Sequence, residues 1–248
     1  MADWKQLVKE LEQWQRPLTL WWRDDDVSRD TPALRQLLQL ADQYQVPVHL
    51  ATIPQLTEDS LITLIDTTRA PCYILQHGIC HQNNAREGQR KIELGGQLTA
   101  TAALSALAEG RHQLQQQFAC RYLDILVPPW NRIDPELLSS LSALGYQRLS
   151  VLGPRAPQAE PAELNVHLDI IDWKQRRFAG EARLLQQIID NLQARRRGEL
   201  DPDEPYGLMT HHLDHDAECW AFLSRLFACL KPFSHLNWAG GPALLEAK

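Results

Sequence analysis

Two histidines four residues apart, His77 and His81 in the run His-Gly-Ile-Cys-His, follow an apolar stretch, Cys72 to Leu75, with the character of a buried strand. Neutral imidazole is a common ligand for zinc and similar divalent ions, and two imidazoles on a short turn converge on one ion when a third group closes the site. Candidate carboxylates come earlier, in Arg23-Asp24-Asp25-Asp26, directly after the apolar run Leu18 to Trp22. Three adjacent carboxylates repel one another, and at the end of a buried strand they are costly unless a cation or hydrogen-bond donors offset them. Cys80 is a further possible donor, but its place between the histidines aims it differently and favours packing. Other polar groups also follow apolar runs: Pro129-Trp130, Asp172-Trp173, and His211-His212 with His215 close by.

Bringing these groups together requires a scaffold, and apolar spacing supplies its outline. Trp4, Leu7, Val8, Leu11 and Trp14 predict an amphipathic first helix over residues 2–15. Residues 17–22 then read as a strand that ends in an acidic loop. Thr31 and Pro32 start a helix that runs to Tyr44. A strand over 47–53 and a helix over 57–67 capped by Thr57 lead to the strand 72–76 that delivers the histidines. Residues 81–97 are polar and predict a long loop of the kind used as a lid or binding loop. Strands follow at 122–127, 146–152, 165–171 and 206–210, separated by helices at 98–118, 134–144 and 180–197. A helix over 216–230 and a short strand over 235–238 complete the pattern. Strand and helix alternating this often predicts an α/β fold, a (β/α) barrel of seven or eight parallel strands in a single domain over 1–248. In such barrels catalytic groups gather at the carboxyl ends of strands, where all five polar clusters fall.

Composition narrows the function classes. At 248 residues and 44% hydrophobic, the chain is able to bury a full core. A formal net charge of −6 argues against a general nucleic-acid binder, and the basic runs Arg176-Arg177 and Arg195 to Arg197 read as solvated helix ends. The charged residues among positions 1–15 do not suit a secretory signal, and no apolar run approaches the roughly 20 residues of a membrane span. Five scattered cysteines without a C-x-x-C pair fit free thiols. A soluble cytoplasmic protein is expected.

The order of acidic pair, His-x-x-x-His, Pro-Pro-aromatic, Asp-x-x-Asp-Trp and a late histidine resembles the polysaccharide deacetylase family, carbohydrate esterase family 4 with the NodB homology fold. The resemblance runs from Asp25-Asp26 through His77 and His81 to the stretch from Asp169 to Trp173, and on to His211. It implies a distorted barrel and a metal-dependent hydrolase that removes acetyl groups from an N-acetylated sugar or oligosaccharide. It places Asp25 as general base, Asp26, His77 and His81 as ligands of a divalent ion, most naturally Zn2+, and His211 as general acid. Arg23, Pro129, Trp130, Asp172 and Trp173 fall at substrate-binding or supporting positions, with Asp172 expected to hold His211 protonated. His212 is the rival for the acid. Three departures mark a divergent member: Val127 stands where the family has an arginine paired to the catalytic aspartate, Gln82 where proline is usual, and Val27 where glycine closes the first motif. Arg23 or Arg132 is placed to supply the missing charge. The alternative function is a deacetylase-like sugar-binding module with weakened turnover, to which Val127 points.

Overall fold

The computed structural model describes residues 2–246. Helix α1 (Trp4–Glu12) starts where Asp3 accepts from the Gln6 N–H and the Gln6 side chain accepts from the Asp3 N–H. That reciprocal cap fixes the start inside the expected range of 2–15. The single domain expected over 1–248 includes Met1, Ala247 and Lys248, which lie outside the described residues. Strand β1 (Leu18–Val27), α2 (Pro32–Tyr44), β2 (Val48–Thr52), α3 (Asp59–Thr67) and β3 (Cys72–His77) form the first half of the chain. Helix α4 (Ala100–Phe118), β4 (Tyr122–Val127), α5 (Pro135–Leu141) and β5 (Arg148–Leu149) follow, then the short strands β6 (Ala162–Glu163), β7 (Leu168–Asp169), β8 (Ile171–Asp172) and β9 (Arg177–Phe178). Helix α6 (Glu181–Arg196), β10 (Tyr206–Thr210), α7 (Ala217–Leu230), β11 (Leu236–Trp238) and α8 (Ala243–Glu246) complete it.

The sheet runs β6-β5-β4-β3-β2-β1-β10-β7 with every pairing parallel, and β11 adds to the start of β1. Its two ends are neighbouring pieces of chain. Between β6 and β7, the N–H groups of Leu164 and Val166 donate to Leu149 and Val151, while the N–H of His167 donates to Gly207 in β10. The stretch 162–169 therefore touches both sides, and the sheet curls into a distorted barrel. Alternation along β1 sends Trp21 inward to a core with Leu75, Ile125 and Val127, and Trp22 outward to a core under α2, α6 and α7. A third core lies against α4 and α5.

Four local expectations change. Strand β1 continues through the acidic cluster instead of stopping at Trp22. Thr57 does not cap a helix: its hydroxyl donates to the Ile53 carbonyl at the end of a single 3-10 turn, and α3 begins at Asp59. Regular pairing over 146–152 shrinks to β5. The strand expected over 165–171 divides at Ile170, because β8 leaves the barrel to pair antiparallel with β9. Among the described residues no helix is long and apolar enough to cross a membrane. All five cysteines are free.

Candidate active site

The acidic run can sit inside a strand because each carboxylate has its own donors. Arg23 and Asp25, two apart on the inward face, are both buried and form an ion pair, with Nη2 donating to Oδ2 at 2.9 Å and Nε 2.8 Å from Oδ1. The remaining Arg23 donors reach the Ser150 hydroxyl at 2.8 Å and Asn131 Oδ1 at 2.8 Å. Arg23 thus pairs with Asp25 where position 127 offers no charge, whereas Arg132 lies at the pocket mouth and donates to the Lys91 carbonyl. Asp24 points to the opposite face and is fully buried. It accepts from the Thr210 hydroxyl at 2.6 Å, the His212 N–H at 3.1 Å and His212 Nδ1 at 2.5 Å.

Asp26 faces a third way because the register slips. Asp24 pairs with Leu50 but Val27 with Thr52, so β1 carries one extra residue, and Asp26 takes a positive φ of 67°. This bulge turns its carboxylate toward the end of β3. There Oδ1 lies 3.1 Å from His77 Nε2 and 3.2 Å from His81 Nε2. His77 donates from Nδ1 to the Val127 carbonyl at 2.9 Å, which leaves the Nε2 lone pair of the neutral ring aimed at Asp26. Burial alone would raise the Asp26 carboxyl. When the His77 ring is protonated, the hydrogen bond it donates from Nε2 and the charges of His77, His211 and His81 overcome it, so the carboxyl is held far below its usual range. Burial lowers His77, but the hydrogen bond to Asp26 and the charges of Asp25 and Asp26 more than offset it and raise the ring above its ordinary value.

The turn carrying His81 is built around Glu93, a buried carboxylate the sequence reading passed over. It accepts from the N–H groups of Ile79, Cys80 and Gln82 at 2.8–3.0 Å. Gly78 makes room for it, since a Cβ there would stand 1.9 Å from Glu93 Oε2. The only signal in the sequence was a lone acid between Ile92 and Leu94 in an otherwise polar stretch. Cys80 uses its backbone here and packs its side chain, half-buried, against the α4 core. Pro129 lies buried beneath Gly78 and outside the pocket, while Trp130 packs on His81 with ring centroids 4.5 Å apart.

His211 follows β10 and points inward, with Nε2 3.9 Å from Asp25 Oδ2 and its ring 4.5 Å from that of Trp173. His212 turns away to Asp24, and His215 packs on Trp220 at 4.3 Å. Asp172 does not support His211. It accepts from the N–H groups of Lys174 and Gln175 and faces Arg183 at 3.8 Å, because β8 has left the barrel. Asp169 instead lines the pocket and accepts from Trp173 Nε1 at 2.7 Å. Burial raises the Asp169 carboxyl, only partly offset by the charge of His211. Asp25, Asp26, His77, His81, His211 and the two tryptophans all border one pocket of about 590 Å³.

No protein-family model matches the sequence, and neither does any curated protein sequence. Solved structures do. A proposed polysaccharide deacetylase from Mycobacterium smegmatis superposes with a TM-score of 0.67 over 94% of this chain and 91% of its own, at 15% identity. The chain has the polysaccharide deacetylase fold. A family 4 acetyl xylan esterase from Clostridium thermocellum in complex with a cobalt ion gives 0.59 over 92% and 90%, at 14% identity. Peptidoglycan deacetylase PdaC from Bacillus subtilis gives 0.57 over 94% and 92%, also at 14%. Identities this low establish shared architecture, and the chemistry rests on the side chains themselves.

Those side chains fit a divalent ion. One ligand atom each from Asp26, His77 and His81 lies within 4.8 Å of the others, the carboxyl is held ionised, and one imidazole is locked in the tautomer that presents a lone pair. Two nitrogens and one oxygen leave further coordination positions free, as a catalytic site requires.

Proposed function

We propose that this chain is a metal-dependent hydrolase that removes the acetyl group from an N-acetylated sugar, oligosaccharide or related amide. The observation that carries the reading is the Asp26-His77-His81 triangle beside an arginine-paired Asp25 and an inward His211 in one pocket. Asp26, His77 and His81 would hold a divalent ion, zinc in this proposal, which when bound would supply Lewis acidity toward the acetyl carbonyl and the attacking water. Asp25 is not a ligand, and its Oδ2 takes the proton from the attacking water. Arg23 fixes that carboxylate in orientation. His211 returns a proton from Nε2 to the departing amine, and Asp169, through Trp173, shapes the wall against which His211 rests. Trp130 and Trp173, one packed on His81 and the other on His211, offer ring faces to the sugar.

The sugar-binding alternative rests on Val127, and the Arg23–Asp25 pair supports the hydrolase reading beside it. Five free thiols support a cytoplasmic setting, and we treat residues 1–248 as one domain. The test pairs metal analysis with acetate release from a small neutral N-acetylated sugar. His81→Ala should lose stoichiometric metal while remaining folded by circular dichroism. Asp25→Asn should keep the metal and lose about 100- to 10,000-fold in turnover. An Asp25→Asn protein as fast as the parent would remove the mechanism.

A further inference from the structure

The mouth of the pocket has a charge that composition does not explain. The chain carries a formal net charge of −6, yet Lys91, Arg132 and Arg176 all line the opening. Arg176 is balanced by Asp214 at 3.0 Å. Lys91 and Arg132 have no carboxylate partner among the described residues. Lys91 Nζ stands 5.6 Å above the Trp130 ring, and Arg132 donates from Nη1 to the Lys91 carbonyl at 2.8 Å, so the two cations share one wall with the aromatic face. Burial, together with the like charge of Arg90, lowers the Arg132 guanidinium from its usual value.

The other acids of the pocket are already committed. Asp25 is paired with Arg23, Asp26 faces the two histidines, and Asp169 holds Trp173. Two cations on one wall without a counter-carboxylate leave an uncompensated positive potential there, which an arriving anion relieves. A guanidinium fork and a mobile ammonium beside a ring face are the groups that receive a phosphate or carboxylate on a sugar stacked against that ring.

Resting on the hydrolase reading, we propose that the substrate is anionic: an N-acetylated sugar bearing a phosphate or carboxylate that Lys91 and Arg132 receive while the ring lies on Trp130. The field of the pair also draws such substrates in, and salt screens it.

The test is calorimetric binding to the zinc-loaded protein of N-acetylglucosamine, its 6-phosphate, and N-acetylmuramic acid, with acetate release measured separately. One or both charged sugars should bind more tightly than the neutral one, and which of them does so distinguishes phosphate from carboxylate. The preference should fall as salt rises to about 0.5 M. Lys91→Gln and Arg132→Gln should each reduce the charged-to-neutral ratio roughly fivefold, whereas Lys91→Arg and Arg132→Lys should retain it. Equal binding of all three sugars, or no binding by either charged one, overturns the proposal. So does a preference that survives in the double Gln variant, since the anion would then be held by zinc alone. A charge preference without acetate release would sink the hydrolase reading and leave this one standing. Acetate release with no charge preference would do the reverse.

Discussion

Asp24, Asp25 and Asp26 are chemically identical, and what separates them is direction. Alternation along β1 sends Asp24 out and Asp25 in, and the bulge turns Asp26 toward the histidines. Asp24 touches no atom in the pocket, yet it grips the residue after His211 by both N–H and ring. In the proposed mechanism it is a positioning residue. Asp24→Asn should cost about 3 kcal/mol in urea unfolding, since removing one partner of a buried pair strands the other. At temperatures where the variant is folded it should keep its full equivalent of metal and lower kcat with little change in KM. Unchanged kcat would refute the positioning role. The sequence showed that this run was chemical but set it in a loop, because the partners that let charges enter a strand, Ser150, Asn131 and Thr210, are more than 100 residues away.

At the scale of elements, the polar stretch after His81 serves as the inside of a ligand-bearing turn. Glu93 offers three N–H groups a charged acceptor, which holds His81 at a positive φ of 60°. Glu93→Gln replaces one accepting oxygen with a donor that faces another donor. The turn should loosen, and divalent-metal affinity should weaken about 10- to 100-fold by competition with a chromophoric chelator, as for other groups that orient ligands. An unaltered affinity would show that the turn holds its shape without Glu93. Helices were legible because their apolar spacing is local. The division of 165–171 was not, since whether β8 stays in the barrel depends on a partner, β9, that apolar pattern does not mark.

The barrel as a whole followed from the alternation of elements, but its closure through 162–169 depends on hydrogen bonds to two distant strands that no local pattern announces. The same interior sets how the molecule responds to acid. His49 is fully buried inside the barrel, between the Trp21 and Tyr73 rings. Its Nδ1 donates to the Trp22 carbonyl, and its Nε2 is buried without a partner. Burial pushes the ring down from 6.5 to about 4, with the bond to Trp22 only partly opposing. Burial likewise takes His215 to about 4. A histidine whose folded pKa is depressed binds its proton more readily when unfolded. Its contribution is therefore intact above about pH 6.5, erodes as pH falls, and is fully lost below about pH 4. For His49 the loss is about 3 kcal/mol. His49→Gln keeps a donor for the Trp22 carbonyl but cannot titrate. Its unfolding free energy, measured in urea with chelator present from pH 7 to pH 4, should decline less steeply than the parent's, and the gap between the two curves should change by about that amount. All other titrating groups are common to both proteins and cancel in the difference. Parallel curves would show that His49 takes up its proton in the folded barrel as easily as in the unfolded chain.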